Sequence, residues 1–153
     1  MGKQISKKKK ISIAIGCDHA GFDVAKDIFQ FLNNSGYDVD NQGCYSLDSV
    51  DYPEYGHKVG HQVAKGNANK GIVVCGSGIG ISIAANKVKG VRAALCFTKE
   101  HAEMSRRHND SNVLALGARI KGGDNILDIV DKWLTTDFEG DRHQRRIEKI
   151  EVV

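Results

Sequence analysis

Cys75 stands where the apolar pair Val73-Val74 meets three alternate glycines, Gly76, Gly78 and Gly80, and the residues from Ile79 onward have helical spacing. A thiol there can act as a base or a nucleophile. Backbone N–H groups and the positive end of a helix dipole converge at a strand–loop–helix junction, where they stabilise negative charge. The glycines spell G-x-G-x-G. A dinucleotide fingerprint needs G-x-G-x-x-G, and Ile81 occupies its last position; the Gly-Lys-Ser/Thr that closes a P-loop is also missing. An anion hole beside its own base remains, and so does a plain tight turn.

Asp18-His19 adds a carboxylate and an imidazole after the first apolar run, although a helix cap and a domain-edge histidine would account for each singly. Arg106-Arg107-His108-Asn109-Asp110 precedes the last strand, which puts it at the opposite end of a parallel sheet from Cys75. Either those cations complement a helix C-terminus, or they complete an active site on another subunit, which requires a homodimer. Arg119, Arg142, Arg145 and Arg146 form a late basic set in which Arg142 and Arg146 share a helical face. Forked guanidiniums suit phosphate, but a solvated face balanced by Glu139, Asp141 and Glu148 reads as well. His57 and His61 are spaced for a metal but lack a third ligand, and they read as surface residues. Cys17, Cys44 and Cys96 show neither C-x-x-C nor an obvious disulfide spacing, and they read as reduced, small buried or loop hydrophobes.

The 153 residues suffice for one domain with its own core, and no apolar run nears the ~20 residues of a membrane span. A formal charge of +3 suggests a basic protein, but five lysines lie in the first ten residues. Without them 17 basic side chains face 19 acidic ones, a net of −2. The expected organisation is a flexible basic tail over 1–10 and a single domain over 11–153. That tail could bind nucleic acid, but it reads as solvated; lacking a signal peptide's apolar region, it leaves a cytoplasmic address as the expectation.

Strands are expected at Ile11–Gly16, Tyr37–Val39, Gly71–Cys75, Val91–Cys96 and Asn112–Leu116, and helices at Gly21–Asn33, Glu54–Lys65, Ile79–Val88, Thr98–Arg107, Asp124–Leu134 and Arg142–Ile150. The single proline, Pro53, falls in a polar loop on this reading. Apolar strands alternating with helices predict a doubly wound, five-stranded parallel sheet, Rossmann-like, in the order 2-1-3-4-5 with a C-terminal helix. Ligands of such sheets bind beyond the strands' carboxyl ends where the order reverses, between the first and third strands. Asp18-His19 and Cys75–Gly80 flank that point.

Together these pieces resemble the ribose-5-phosphate isomerase B family, related to the sugar-phosphate isomerases that include the galactose-6-phosphate enzymes. The resemblance rests on GCDHAGF at 16–22, DYPEY at 51–55, GIVVCGSGIGISIAANK at 71–87, SRRHNDSNVLALGAR at 105–119 and GDRHQRRIE at 140–148. It implies a metal-free, cofactor-free interconversion of ribose 5-phosphate and ribulose 5-phosphate through a cis-enediolate, as in the pentose phosphate pathway. On the resemblance, Cys75 is the base, and the backbone from Gly76 through Gly78 and Ile79 to Gly80 is the anion hole. His108, Asp18 and Ser77 fall on ring-opening and proton-relay positions. His19, Arg119, Arg142 and Arg146 fall on phosphate-binding ones, and Tyr52 and Asn109 on substrate contacts. It also implies a homodimer or homotetramer with shared sites, and no nucleic-acid or membrane partner. One branch of the family carries a glutamate base at the position of Ile81, so Cys75 puts this chain in the cysteine branch. A six-carbon sugar phosphate is the nearest alternative substrate. A non-catalytic nucleotide-binding or receiver-like module is the alternative of another class, although a receiver needs an aspartate where Cys75 stands.

Overall fold

The computed structural model describes residues 10–152; apart from Lys10, the basic tail lies outside the described residues. The elements are β1 (Ser12–Cys17), α1 (Phe22–Asn34), β2 (Asp38–Gly43), α2 (Tyr52–Ala64), β3 (Lys70–Cys75), α3 (Ile79–Asn86), β4 (Ala93–Leu95), α4 (Lys99–Asn109), β5 (Val113–Gly117), α5 (Ile126–Leu134) and α6 (Arg142–Ile150), with a 3-10 turn at His19–Gly21. All strand pairs are parallel.

Side-chain alternation along the central strands splits the core between two faces. On one, Ile13, Ile15, Ile72, Val74, Leu114 and Leu116 meet Ile28 and Leu32 of α1 and Ile129 and Trp133 of α5. On the other, Ala14, Val73, Cys75, Val113 and Ala115 meet Val59 of α2 and Ile81 and Ala85 of α3. Burial on both faces explains why β1, β3 and β5 read as unbroken apolar runs. The doubly wound parallel sheet is as expected.

The strand order is 2-1-3-5-4, not 2-1-3-4-5. All five residues of β5 are buried, whereas the three of β4 are only half-buried. The fully apolar strand takes the interior place beside β3, and the short one takes the edge. β2, the other edge, runs to Gly43 rather than Val39, because its polar residues Asp40 and Asn41 pair with β1 on one side only, and the register shifts past Gln42 before Gly43 pairs with Gly16. Pro53 does not lie in a loop. It sits in the first turn of α2, where a missing N–H costs no helical hydrogen bond. The order reverses between β1 and β3 as expected, and the loops after these strands meet there: the Asp18 N–H donates to Val74 O at 3.2 Å.

Among the described residues, no helix is long and apolar enough to cross a membrane.

Candidate active site

At the carboxyl edge of the sheet, β3 ends at Cys75, which is only 4% exposed, and the loop turns into α3. Gly78 makes that turn with φ of +77°, a left-handed conformation costly for any side chain. A Cβ on it would also lie 2.6 Å from Leu95. In this turn the Gly78 N–H donates to Cys75 Sγ at 3.2 Å, so a backbone dipole points at the sulfur. The Ile79 N–H donates to Ser77 Oγ at 3.1 Å, leaving the serine's own proton free to be given away. Gly78 caps α3 without a side chain, so the helix's positive end opens directly onto the loop. A plain turn would need neither the thiol nor the open cap.

Neighbouring segments converge on this loop. Tyr52, the first residue of α2, lies against Gly80 so closely that a Cβ there would come 2.5 Å from its ring. Arg119 follows β5, and its N–H donates to Gly76 O at 2.9 Å while its side chain runs past Gly76. Asp18 is buried and caps the 3-10 turn, its Oδ1 accepting from the Gly21 N–H at 3.0 Å. His19 Nδ1 accepts from the Val50 N–H at 3.1 Å. That bond leaves Nε2 as the nitrogen that carries the proton and can donate it to a ligand. Cys75, Ser77, Asp18, His19, Tyr52 and Arg119 therefore share one edge.

His108 and Asn109 do not. They end α4, ahead of β5, whereas Cys75 pairs with Gly117 at the far end of that strand. Four residues of strand, about 13 Å, separate the two edges. At the amino edge, His108 stacks on His143 of α6 with ring centroids 4.4 Å apart and planes 18° from parallel. Both imidazoles face Glu139: Oε2 is 3.8 Å from His108 Nε2 and 3.3 Å from His143 Nε2. Arg107 grips the other carboxylate oxygen at 2.6 Å. That hydrogen bond holds the Glu139 carboxyl below its ordinary range. Burial, then the charges of Arg142 and His108, hold His143 below its ordinary value against the opposing pull of Glu139. Arg142 and Arg146 are exposed on α6 beside this cluster.

The sequence offers Arg107 beside His108 as part of a shared site, but it does not single out Glu139 or His143. One signal was available: His143 and Ile147 are the buried stripe of an otherwise charged helix. Donor atoms of His108, Glu139 and His143 lie within 4.8 Å of one another, so these three side chains could share a cation. Three nearby guanidiniums make the same place attractive to anions. His57 and His61 are exposed on α2, as read from the sequence.

Residues 13–150 match the family model described as Ribose/Galactose Isomerase. Ribose-5-phosphate isomerase B of Escherichia coli is 46% identical over 141 residues, covering 92% of this chain and 95% of that protein. The structure of ribose-5-phosphate isomerase B from Clostridium thermocellum is 51% identical with a TM-score of 0.90, covering 92% of this chain and 95% of that one. That of the Mycoplasma genitalium enzyme, solved with bound ribulose-5-phosphate, is 40% identical with a TM-score of 0.87, covering 92% and 94%. With a thiol on a glycine loop at a sheet's switch point and agreement along nearly the whole length of each relative, the chain belongs to the ribose/galactose isomerase family.

Proposed function

We propose that this chain interconverts D-ribose 5-phosphate and D-ribulose 5-phosphate through a cis-enediolate. The observation that carries the proposal is the contact of Cys75 Sγ with the Gly78 N–H at the mouth of the loop. A carbon acid beside a carbonyl yields to a thiolate only if the new oxyanion is held, and each preorganised donor commonly contributes ~3–4 kcal/mol. Base and donors must be adjacent, and here one loop supplies both.

Cys75 removes the proton from C2 of the opened aldose and returns one to C1, so no net change of oxidation state occurs across the molecule. The backbone from Gly76 through Gly78 and Ile79 to Gly80 holds the enediolate oxygen. His108 opens the sugar ring, with Asp18 and Ser77 relaying protons. Tyr52 and Asn109 contact the sugar, and His19, Arg119, Arg142 and Arg146 hold the phosphate.

This set is drawn from both edges of the sheet, so the working site is shared between two copies in a homodimer or homotetramer. The carboxyl edge of one copy meets the amino edge of another. Support comes from an apolar patch beside the loop: Tyr52, Ile79 and Ile83 are 41%, 51% and 55% exposed, an area that a second copy would cover. Guanidiniums on both edges, Arg119 beside Gly76 and Arg142 and Arg146 exposed on α6, add to it, since one phosphate held by both sets would bridge the copies.

The test supplies ribose 5-phosphate and allose 6-phosphate separately, with and without a chelator, to the wild type and Cys75→Ala. Chelator-insensitive turnover of ribose 5-phosphate that collapses in Cys75→Ala is expected. Full activity in Cys75→Ala sinks the assigned base, and preference for allose 6-phosphate moves the substrate to six carbons.

A further inference from the structure

We propose that Cys17 and Cys44 are a reversible oxidation site, which a small-molecule disulfide converts to an intramolecular disulfide that disturbs Asp18 and His19. The two residues lie 27 apart in sequence, yet their sulfurs are 3.8 Å apart, and all four cysteines are free. They extend the β1–β2 pairing by one residue beyond Gly16 and Gly43, with the Cys44 N–H donating to Cys17 O at 2.8 Å. Neighbouring strands run about 4.8 Å apart, inside the Cα separation of about 4.4–6.8 Å that a disulfide spans. Both side chains point to the same face of the sheet and belong to one core cluster. Closing the bond therefore needs side-chain rotation and a small approach of two adjacent chains, not a refolding.

An oxidant has a way in. A cavity of about 270 Å³ is lined by both cysteines together with Phe22, Ala25, Phe29 and Tyr45. Burial and the neighbouring Cys44 push the Cys17 thiol up to about 12, so Cys17 is a poor attacking group. Cys44 opens the sequence: its thiolate attacks the disulfide, forming a mixed disulfide and expelling one thiolate. Cys17 then displaces the second thiol from Cys44, its own proton leaving with that thiol. Two protein thiols are oxidised by two electrons, and one small disulfide is reduced to two thiols.

Both ends of the new bond lead to candidate site residues. Cys17 directly precedes Asp18, whose carboxylate caps Gly21 and whose N–H is tied to Val74. The chain after Cys44 leads to Val50, whose N–H holds His19 Nδ1. Drawing the sulfurs together pulls on both. The effect on turnover rests on the isomerase reading above; the bond itself does not.

The experiment treats the native protein with cystamine, then maps peptides, measures intact mass and assays ribose 5-phosphate turnover. Expected is a Cys17–Cys44 peptide and a mass loss of about 2 Da without an adduct. The bridged protein should turn over about fivefold or more slowly, with recovery in dithiothreitol. Cys44→Ala should keep the basal rate within about twofold and resist the oxidant. Failure to find the bridge overturns the site. Equal inactivation of Cys44→Ala, with a cysteamine adduct on Cys75, overturns the coupling. Mapping and mass need no substrate, so a chain that turned over no ribose 5-phosphate would refute the activity while leaving the bridge to be judged alone.

Discussion

The two edges of the sheet are built differently. Around Cys75 the carboxyl edge is made of backbone: a left-handed glycine, an N–H on the sulfur, a helix start with no side-chain cap, and Tyr52 pressed on Gly80. Around His108 the amino edge is made of charged side chains at the ends of α4 and α6, held by Arg107, Glu139 and a stacked imidazole pair. Proton abstraction and oxyanion binding depend on donors fixed to within fractions of an ångström, which backbone in a packed turn provides. Phosphate capture and ring opening, the tasks proposed for the amino edge, need charge and a movable proton, which side chains provide. The carboxyl edge should therefore respond to added atoms, and the amino edge to pH and charge.

The sharpest break in that contrast is expected from removing one group on each edge. Cys75→Ala and His108→Ala should each lose about 10²–10⁴-fold in kcat, the usual range for a lost acid or base. Mixing the two inactive proteins under conditions that exchange subunits should restore part of the activity. No complementation, with exchange verified by mass, would remove the proposed shared site. Next in size is Gly80→Ala, which pushes a methyl into the Tyr52 ring. We expect a loss of about 10–100-fold in kcat/KM from a displacement of that order, with far-ultraviolet circular dichroism unchanged. An unaffected variant would show that the loop tolerates what its geometry forbids.

Removing a proposed phosphate ligand should be milder. Arg119→Ala on one edge and Arg142→Ala on the other should each raise KM about tenfold, as losing one charge-assisted hydrogen bond would. A double variant that departs from additivity would place both guanidiniums on one anion, whereas strict additivity would separate them. The smallest effect concerns stability. His143 titrates below its ordinary value when folded, so the unfolded chain binds the proton more readily. Stability should be fully present above the unfolded value, about 6.5, and fall as pH drops toward the folded one. Thermal unfolding from pH 7.5 to 5 should show that slope in the wild type and a flatter one in His143→Gln. A steeper slope in the variant would reverse the assignment.

Much of this was legible in residue order. Unbroken apolar runs at Ile13–Ile15, Ile72–Val74 and Val113–Leu116 announce strands buried on both faces, and the switch point between β1 and β3 joins Asp18 to Cys75. Other features were hidden by the nature of the signal. The apolar patterns of β4 and β5 look alike as strings, and only their unequal burial decides which lies at the edge. Polar β2 extends beyond its apolar signal because an edge strand has little need of an apolar pattern. Pro53 leaves loop and helix start undecided in the sequence, because the same residue type suits a turn and the first turn of a helix.

Sequence alone determined what chemistry the chain carries: a thiol before a glycine turn, an Asp-His pair, and late arginines, because reactivity and local turn geometry belong to residue types and near neighbours. Tertiary structure alone decided which of these groups meet. Docking α6 beside α4 brings His143 and Glu139 to His108, and pairing of β1 with β2 brings Cys17 to Cys44. It also keeps His108 a strand's length from Cys75, since contacts between distant segments are set by packing whole elements against one another.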